Sequence, residues 1–257
     1  MKRNQRVVAR ERGGEEDNVQ AIAQGPAKKK WSKHDMIPYR PITEPLSEGL
    51  RAWFEGEHLA LVGSAGTGKT LLAMYCAAHS LTAGDGIQQI VIIRSAVQAR
   101  EIGHLPGTIE EKQAAYEEPY EASLGKLFNR VKTYEDMKAA GKVQFRLSSF
   151  LRGLTFDNSI IVMDEIQNMR FEEINTVVTR LGENSRLIMI GDTKQIDLTR
   201  RDDISGLEAA CVIAKDVGGF TTVNFTRHDV VRSAFVKSWI GAVEDYEAGK
   251  RGNLRAA

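Results

Sequence analysis

The 257-residue chain is poor in cysteine, holding only Cys76 and Cys211. Two thiols cannot build a disulfide framework or a zinc cluster. Both sit among apolar neighbours, so they read as reduced core residues of a cytoplasmic protein. No run of about 18 apolar residues occurs, which argues against a membrane span. The opening MKRNQRVVARERGGEEDN has charge but no apolar stretch behind it, so no secretory signal is expected. Aromatics are only 7% and form no RNA-recognition signature, which excludes readout by a stacking platform. His104 and His228 lack metal-ligand spacing and read as loop or surface residues.

What is present is the balance of an ordinary globule, 42% hydrophobic and 27% charged. The net charge of +1 hides an asymmetry. Residues 1–40 carry ten Lys or Arg against five Asp or Glu, whereas residues 41–257 carry 25 against 29. The first forty residues lack apolar periodicity and are expected to be a basic, disordered or extended lead. Such a lead is either a solvated tail or an electrostatic handle for nucleic acid. Pro38, Pro41 and Pro45 punctuate the entry to a folded domain spanning 41–257.

Within that domain apolar strands alternate with amphipathic helices, the pattern of an α/β fold with a largely parallel sheet. Strands are expected at His58–Val62, Gln89–Ile93, Val143–Leu147, Ser159–Met163 and Arg186–Ile190, with a weaker one near Thr222–Phe225. Lys69–Leu81 is apolar nearly all round and reads as a helix buried on the sheet. Phe171, Ile174, Val177, Val178 and Leu181 recur at helical spacing, with Gly182 as the expected stop. A last helix is expected with Asp229 as its cap, carrying Phe235, Trp239, Val243 and Tyr246 before Gly249. The stretch from Gly103 to Lys142 is helical but charged and reads as an insertion over one sheet edge.

Three motifs carry chemistry. GSAGTGKT, comprising Gly63, Ser64, Ala65, Gly66, Thr67, Gly68, Lys69 and Thr70, fits the phosphate-binding pattern G-x-x-x-x-G-K-[ST]. Its glycines allow a tight turn that points successive amides at phosphate oxygens, and the following helix adds its N-terminal partial charge at Lys69, Thr70 and Leu71. Lys69 is expected on the β- and γ-phosphates of ATP, and the Thr70 hydroxyl on magnesium. The strand SIIVMDE then delivers Asp164 at its carboxyl end as a second magnesium ligand. Glu165 follows at once and can polarise an attacking water as general base. That pair favours hydrolysis over transfer to a small-molecule hydroxyl. In MIGDTKQIDL a further buried strand ends at Gly191 and Asp192, and Gln195 downstream is placed to sense the γ-phosphate.

In order along the chain, GSAGTGKT, RSAV (94–97), LPG (105–107), FLRG (150–153), IIVMDEIQN, TRLG (179–182), GDTKQIDL, SGL (205–207) and DVVR (229–232) resemble the PhoH-like proteins. The resemblance spans about residues 41–247. It implies a three-layer P-loop NTPase with one RecA-like core of superfamily-one helicase type, ATP hydrolysis, a homo-oligomeric and often hexameric ring, and action on single-stranded RNA or DNA. Some relatives fuse this domain to a PIN ribonuclease, for which a forty-residue lead is too short. The resemblance departs at three places. The segment before the phosphate loop, TEPLSEGLRAW, has none of the Gln that reads adenine in relatives. Arg94 is followed by Ser95 where Pro is usual, and Arg152-Gly153-Leu154 stands where a second Arg is usual.

With one RecA-like domain, an arginine finger is expected from a neighbouring copy, the candidates being Arg232, Arg152 and then Arg180. Arg94 and Gln98 are placed where related motors touch a nucleic-acid backbone, while Arg94 is equally placed to bridge to a carboxylate inside the domain; any nucleic-acid binding should be salt-dependent with little sequence preference. A second reading, an ATP-dependent switch that remodels a protein partner, uses the same pocket without unwinding.

Overall fold

The chain is seen in a computed structural model that describes residues 31–95, 109–151, 153–192 and 205–255. Gln98, Arg152 and Gln195, the LPG segment, His104 and most of GDTKQIDL lie outside the described residues.

All six expected strands form: β1 (His58–Gly63), β2 (Gln89–Arg94), β3 (Val143–Leu147), β4 (Ser159–Met163), β5 (Arg186–Gly191) and β6 (Phe220–Phe225). They make one sheet in the order β3-β2-β4-β5-β1-β6 with every neighbour parallel. Side chains alternate across a strand, so a continuous apolar run must be covered twice. Leu59, Leu61, Ile90, Ile92, Ile160 and Val162 enter one core, while Ala60, Val62, Val91, Ile93, Ile161 and Met163 enter the other. Each buried aliphatic side chain contributes about 1.5–3 kcal/mol of transfer free energy, enough to require helices on both faces.

The first face is covered by α1 (Glu44–Phe54), α2 (Lys69–Ala83) and α3 (Ile109–Leu127), with α4 (Thr133–Ala139) against the edge strand β3. The second face is covered by α5 (Phe171–Val178) and α6 (Leu207–Asp216). The result is a three-layer α/β/α sandwich. Among the described residues no helix is long and apolar enough to cross a membrane.

Four local expectations change. Residues 31–40 do not trail away from the body. Met36 is buried, Ile37 N–H donates to the Leu127 carbonyl at 2.7 Å, and the Tyr39 ring stacks on Tyr75 at 5.1 Å. Gly182 does not stop a helix, because α5 ends at Val178. Its need is space: a Cβ there would lie 1.8 Å from Asp157 Oδ1. Asp229 does not cap the last helix either. Its Oδ2 accepts from the Thr226 amide and hydroxyl, both at 2.8 Å, inside a 3-10 turn. The helix itself, α7 (Ala234–Arg255), starts later and runs through Gly249. Phe235, Trp239, Val243 and Tyr246 are all exposed on it. Finally, the charged insertion covers more than the sheet edge. Its first helix, α3, packs on α2 and brings Tyr120 and Leu124 into the core.

Because every strand runs the same way, the segments following β1, β4 and β5 meet at one rim. The strand order leaves a single strand, β5, between β1 and β4. The phosphate loop and the acidic pair therefore face each other across the end of β5.

Candidate nucleotide site

A pocket of about 520 Å³ opens at that rim, lined by the 65–71 stretch, Asp164, Glu165 and Gln167, Gly191 and Asp192, Arg232, and α3 residues including Pro119 and Ser123. The loop forming its floor is held by its own neighbours. Gly63 has φ +133°, and a Cβ on it would sit 1.9 Å from the Phe225 carbonyl oxygen, so no side chain fits. The Thr67 hydroxyl donates to the Ser64 carbonyl at 3.0 Å, and Ser64 N–H donates to the Phe225 carbonyl at 3.2 Å. Gly68, left-handed at φ 89°, starts α2 without a side-chain cap. The amides of Lys69, Thr70 and Leu71 have no carbonyl one turn earlier in the helix, the arrangement that accepts an anion.

Lys69 is buried, and its Nζ donates to the Gly63 and Ser64 carbonyls, both at 2.7 Å. Burial lowers its pKa, while Asp192, Asp164 and Glu165 pull it back up. Lys69 and the acidic pair thus feel each other across the pocket. The two lie at one end of the fold.

On the far side, Asp164 is buried at 5% exposure with a donor on each carboxylate oxygen. Tyr120 Oη donates to Oδ2 at 2.8 Å, and Glu165 N–H to Oδ1 at 2.9 Å. Burial raises the Asp164 pKa, opposed by Arg94, the Tyr120 hydroxyl and the Glu165 amide. Glu165 takes the left-handed conformation, φ 57° and ψ 40°, unusual outside glycine, which starts the 3-10 turn Ile166–Asn168. Its pKa is raised by burial and by Asp164, against the pull of Arg94 and Gln167. Arg94 Nη2 stands 3.8 Å from Glu165 Oε1. The fully buried Gln167 donates its amide to Glu165 Oε2 and accepts from Asp192 N–H at 2.9 Å. One side chain thereby ties the acidic pair to the end of β5.

The residues fit a magnesium-bound triphosphate. The donor set is all oxygen, as a hard cation prefers. Among the described residues no group of three or more His, Cys, Asp or Glu is poised to hold a metal alone. Magnesium binds one or two protein oxygens together with phosphates and water. Thr70 and Asp164, from opposite walls, are the residues able to hold it.

Arg232 lies over its own phosphate loop: its Cγ and Nε would be 3.5 and 3.7 Å from a Cβ on Gly66. Val231 N–H donates to the Gly66 carbonyl at 2.9 Å and fixes that placement. Arg180 does not line the pocket. Sequence reasoning missed Tyr116, Tyr120 and the tie made by Gln167. The signal for α3 was available in Tyr116, Tyr120, Leu124 and Leu127, which share one face of a helix inside a charged stretch.

The parallel sheet, the glycine-rich loop opening α2 and the acidic strand end together define a P-loop NTPase. The family described as PhoH-like protein matches residues 43–244, and the chain belongs to it. A PhoH-like protein of Mycobacterium bovis is 36% identical over 197 residues, covering 76% of this chain and 55% of that protein. Protein PhoH of Escherichia coli is 33% identical over 210 residues, covering 81% of this chain and 59% of that one. The chain thus spans little more than half the length of these relatives. The large terminase of a thermophilic bacteriophage aligns with 77% of this chain and 49% of its own at 12% identity, with a TM-score of 0.48, a likeness on which nothing further rests.

Proposed function

We propose that the protein binds magnesium-ATP in this pocket and hydrolyses it, as a ring-forming ATPase that acts on single-stranded RNA or DNA. The observation that carries the hydrolytic reading is the pairing, across one strand, of a buried loop lysine with two adjacent carboxylates. Amides of the loop and of the α2 N-terminus would grip the phosphates, with Lys69 the charge partner of the β- and γ-phosphates. Thr70 and Asp164 hold magnesium, which neutralises charge on the phosphate oxygens when bound. Glu165, its proton affinity raised by burial and by Asp164, accepts the proton of the attacking water. Arg232 lies over its own chain's phosphate loop, so a finger lent by a second copy falls to another arginine, with Arg152 and Arg180 the candidates.

Self-association is supported by the exposed stripe on α7, where Phe235 is 74% and Trp239 64% exposed. At the opposite rim, where β1, β5 and β6 begin, an apolar groove is lined by Ile174, Val178, Leu187, Met189, Ile213 and Val217. The stripe of one copy in the groove of the next is a head-to-tail contact, which closes into a ring when the rotation allows. ATP turnover with and without single-stranded RNA or DNA tests the function. Stimulation that fades with salt is expected; a pocket that turns over ATP but ignores nucleic acid supports the alternative, a switch that remodels a protein partner.

A further inference from the structure

We infer that α3 sets the geometry of the acidic pair, with Tyr120 positioning Asp164 and Tyr116 acting on Glu165 through Arg94. This rests on the reading of Asp164 as the magnesium-holding carboxylate and Glu165 as the base.

Tyr120 is fully buried, and its hydroxyl bonds Asp164 Oδ2 at 2.8 Å, while Oδ1 is held by the Glu165 amide. The carboxylate plane is thereby fixed from two directions, and a rotation that frees one oxygen strains the other bond. One turn earlier on the same helix face, the Tyr116 ring lies 5.1 Å from the Arg94 guanidinium. Arg94 stands in turn 3.8 Å from Glu165 Oε1. Two tyrosines four residues apart therefore reach both members of the pair, neither of which belongs to α3.

Between them sits Pro119, which has no N–H to give the carbonyl one turn back. The helix ladder is interrupted at the turn that carries both tyrosines and that walls the pocket at Pro119, Ala122 and Ser123. A displacement of α3 at this turn moves the metal-holding carboxylate and the base together. A ring that only filled the core would serve as well without its hydroxyl: Tyr120 packs at 6.2 Å from Phe145, and phenylalanine would preserve that contact.

Tyr120→Phe separates the two roles. Binding of a fluorescent ADP analogue is measured in EDTA and then across a magnesium titration, alongside the melting temperature. The variant should match wild type in EDTA and need about ten times more magnesium for half-maximal response, the effect expected when a metal ligand loses its supporting hydrogen bond. Tyr116→Leu should leave the magnesium midpoint in place and slow single-turnover hydrolysis several-fold. A Tyr120→Phe protein with the wild-type magnesium midpoint overturns the inference, as does one that loses nucleotide affinity in EDTA, because Tyr120 then only supports the fold. Wild-type protein whose nucleotide binding ignores magnesium sinks the reading of Asp164 itself, and this inference with it.

Discussion

The two walls of the pocket are built differently. On the phosphate side, the residues from Gly63 to Thr70 are held by one another, by the end of β6 and by the segment just beyond it. Thr67 bonds Ser64, Lys69 bonds Gly63 and Ser64, and Val231 bonds Gly66. On the acidic side, two consecutive carboxylates depend on side chains from elsewhere, namely Tyr120 from α3, Arg94 from the end of β2 and Gln167 from the turn that follows. A wall whose bonds end on backbone carbonyls tolerates little substitution. One made of side chains can be adjusted by whatever moves the elements that carry them.

Substitutions on the two walls should therefore fail differently. Lys69→Ala removes the charged partner of the phosphates, worth about 3 kcal/mol, and should weaken nucleotide binding about a hundredfold by calorimetry. Unchanged affinity would break the comparison at its root. Gly63→Ala drives a Cβ into the Phe225 carbonyl and should cost about 3 kcal/mol of folding stability, read as a lowered urea midpoint. On the acidic wall, Gln167→Met fills the same space but leaves the Asp192 amide without its acceptor. It should slow hydrolysis about tenfold while nucleotide affinity stays within about twofold, and a collapse of affinity would show that this wall also binds. Trp239→Ser lies outside both walls. It should lower the mass of the particle in solution by light scattering and change the nucleotide affinity by less than about twofold.

The same difference explains what is legible in the sequence. The sheet is legible because four of its strands are apolar runs, and even the weak sixth strand forms, starting two residues earlier at Phe220. The phosphate wall is legible because its residues are contiguous and their spacing encodes its geometry. Asp164 and Glu165 are legible as a strand end, but their partners are not: the Tyr120 to Asp164 bond joins residues 44 positions apart inside a stretch that reads as a charged insertion. Arg232 is visible as part of DVVR, yet only the fold places it over the phosphate loop of its own chain. On α7 the apolar spacing reads as a helix correctly, while its exposure depends on what surrounds it, which periodicity does not encode. Gly182 reads as a helix stop because a glycine needed for space looks the same as one needed for a helix end.

Single-turnover hydrolysis of magnesium-ATP by Glu165→Gln tests the central claim most directly, since the amide keeps the shape of the side chain and removes its basicity. Nucleotide binding is expected at close to wild-type affinity, with phosphate release slowed on the order of a hundredfold or more. Release at the wild-type rate would contradict the assignment of Glu165 and place the base elsewhere in the pocket.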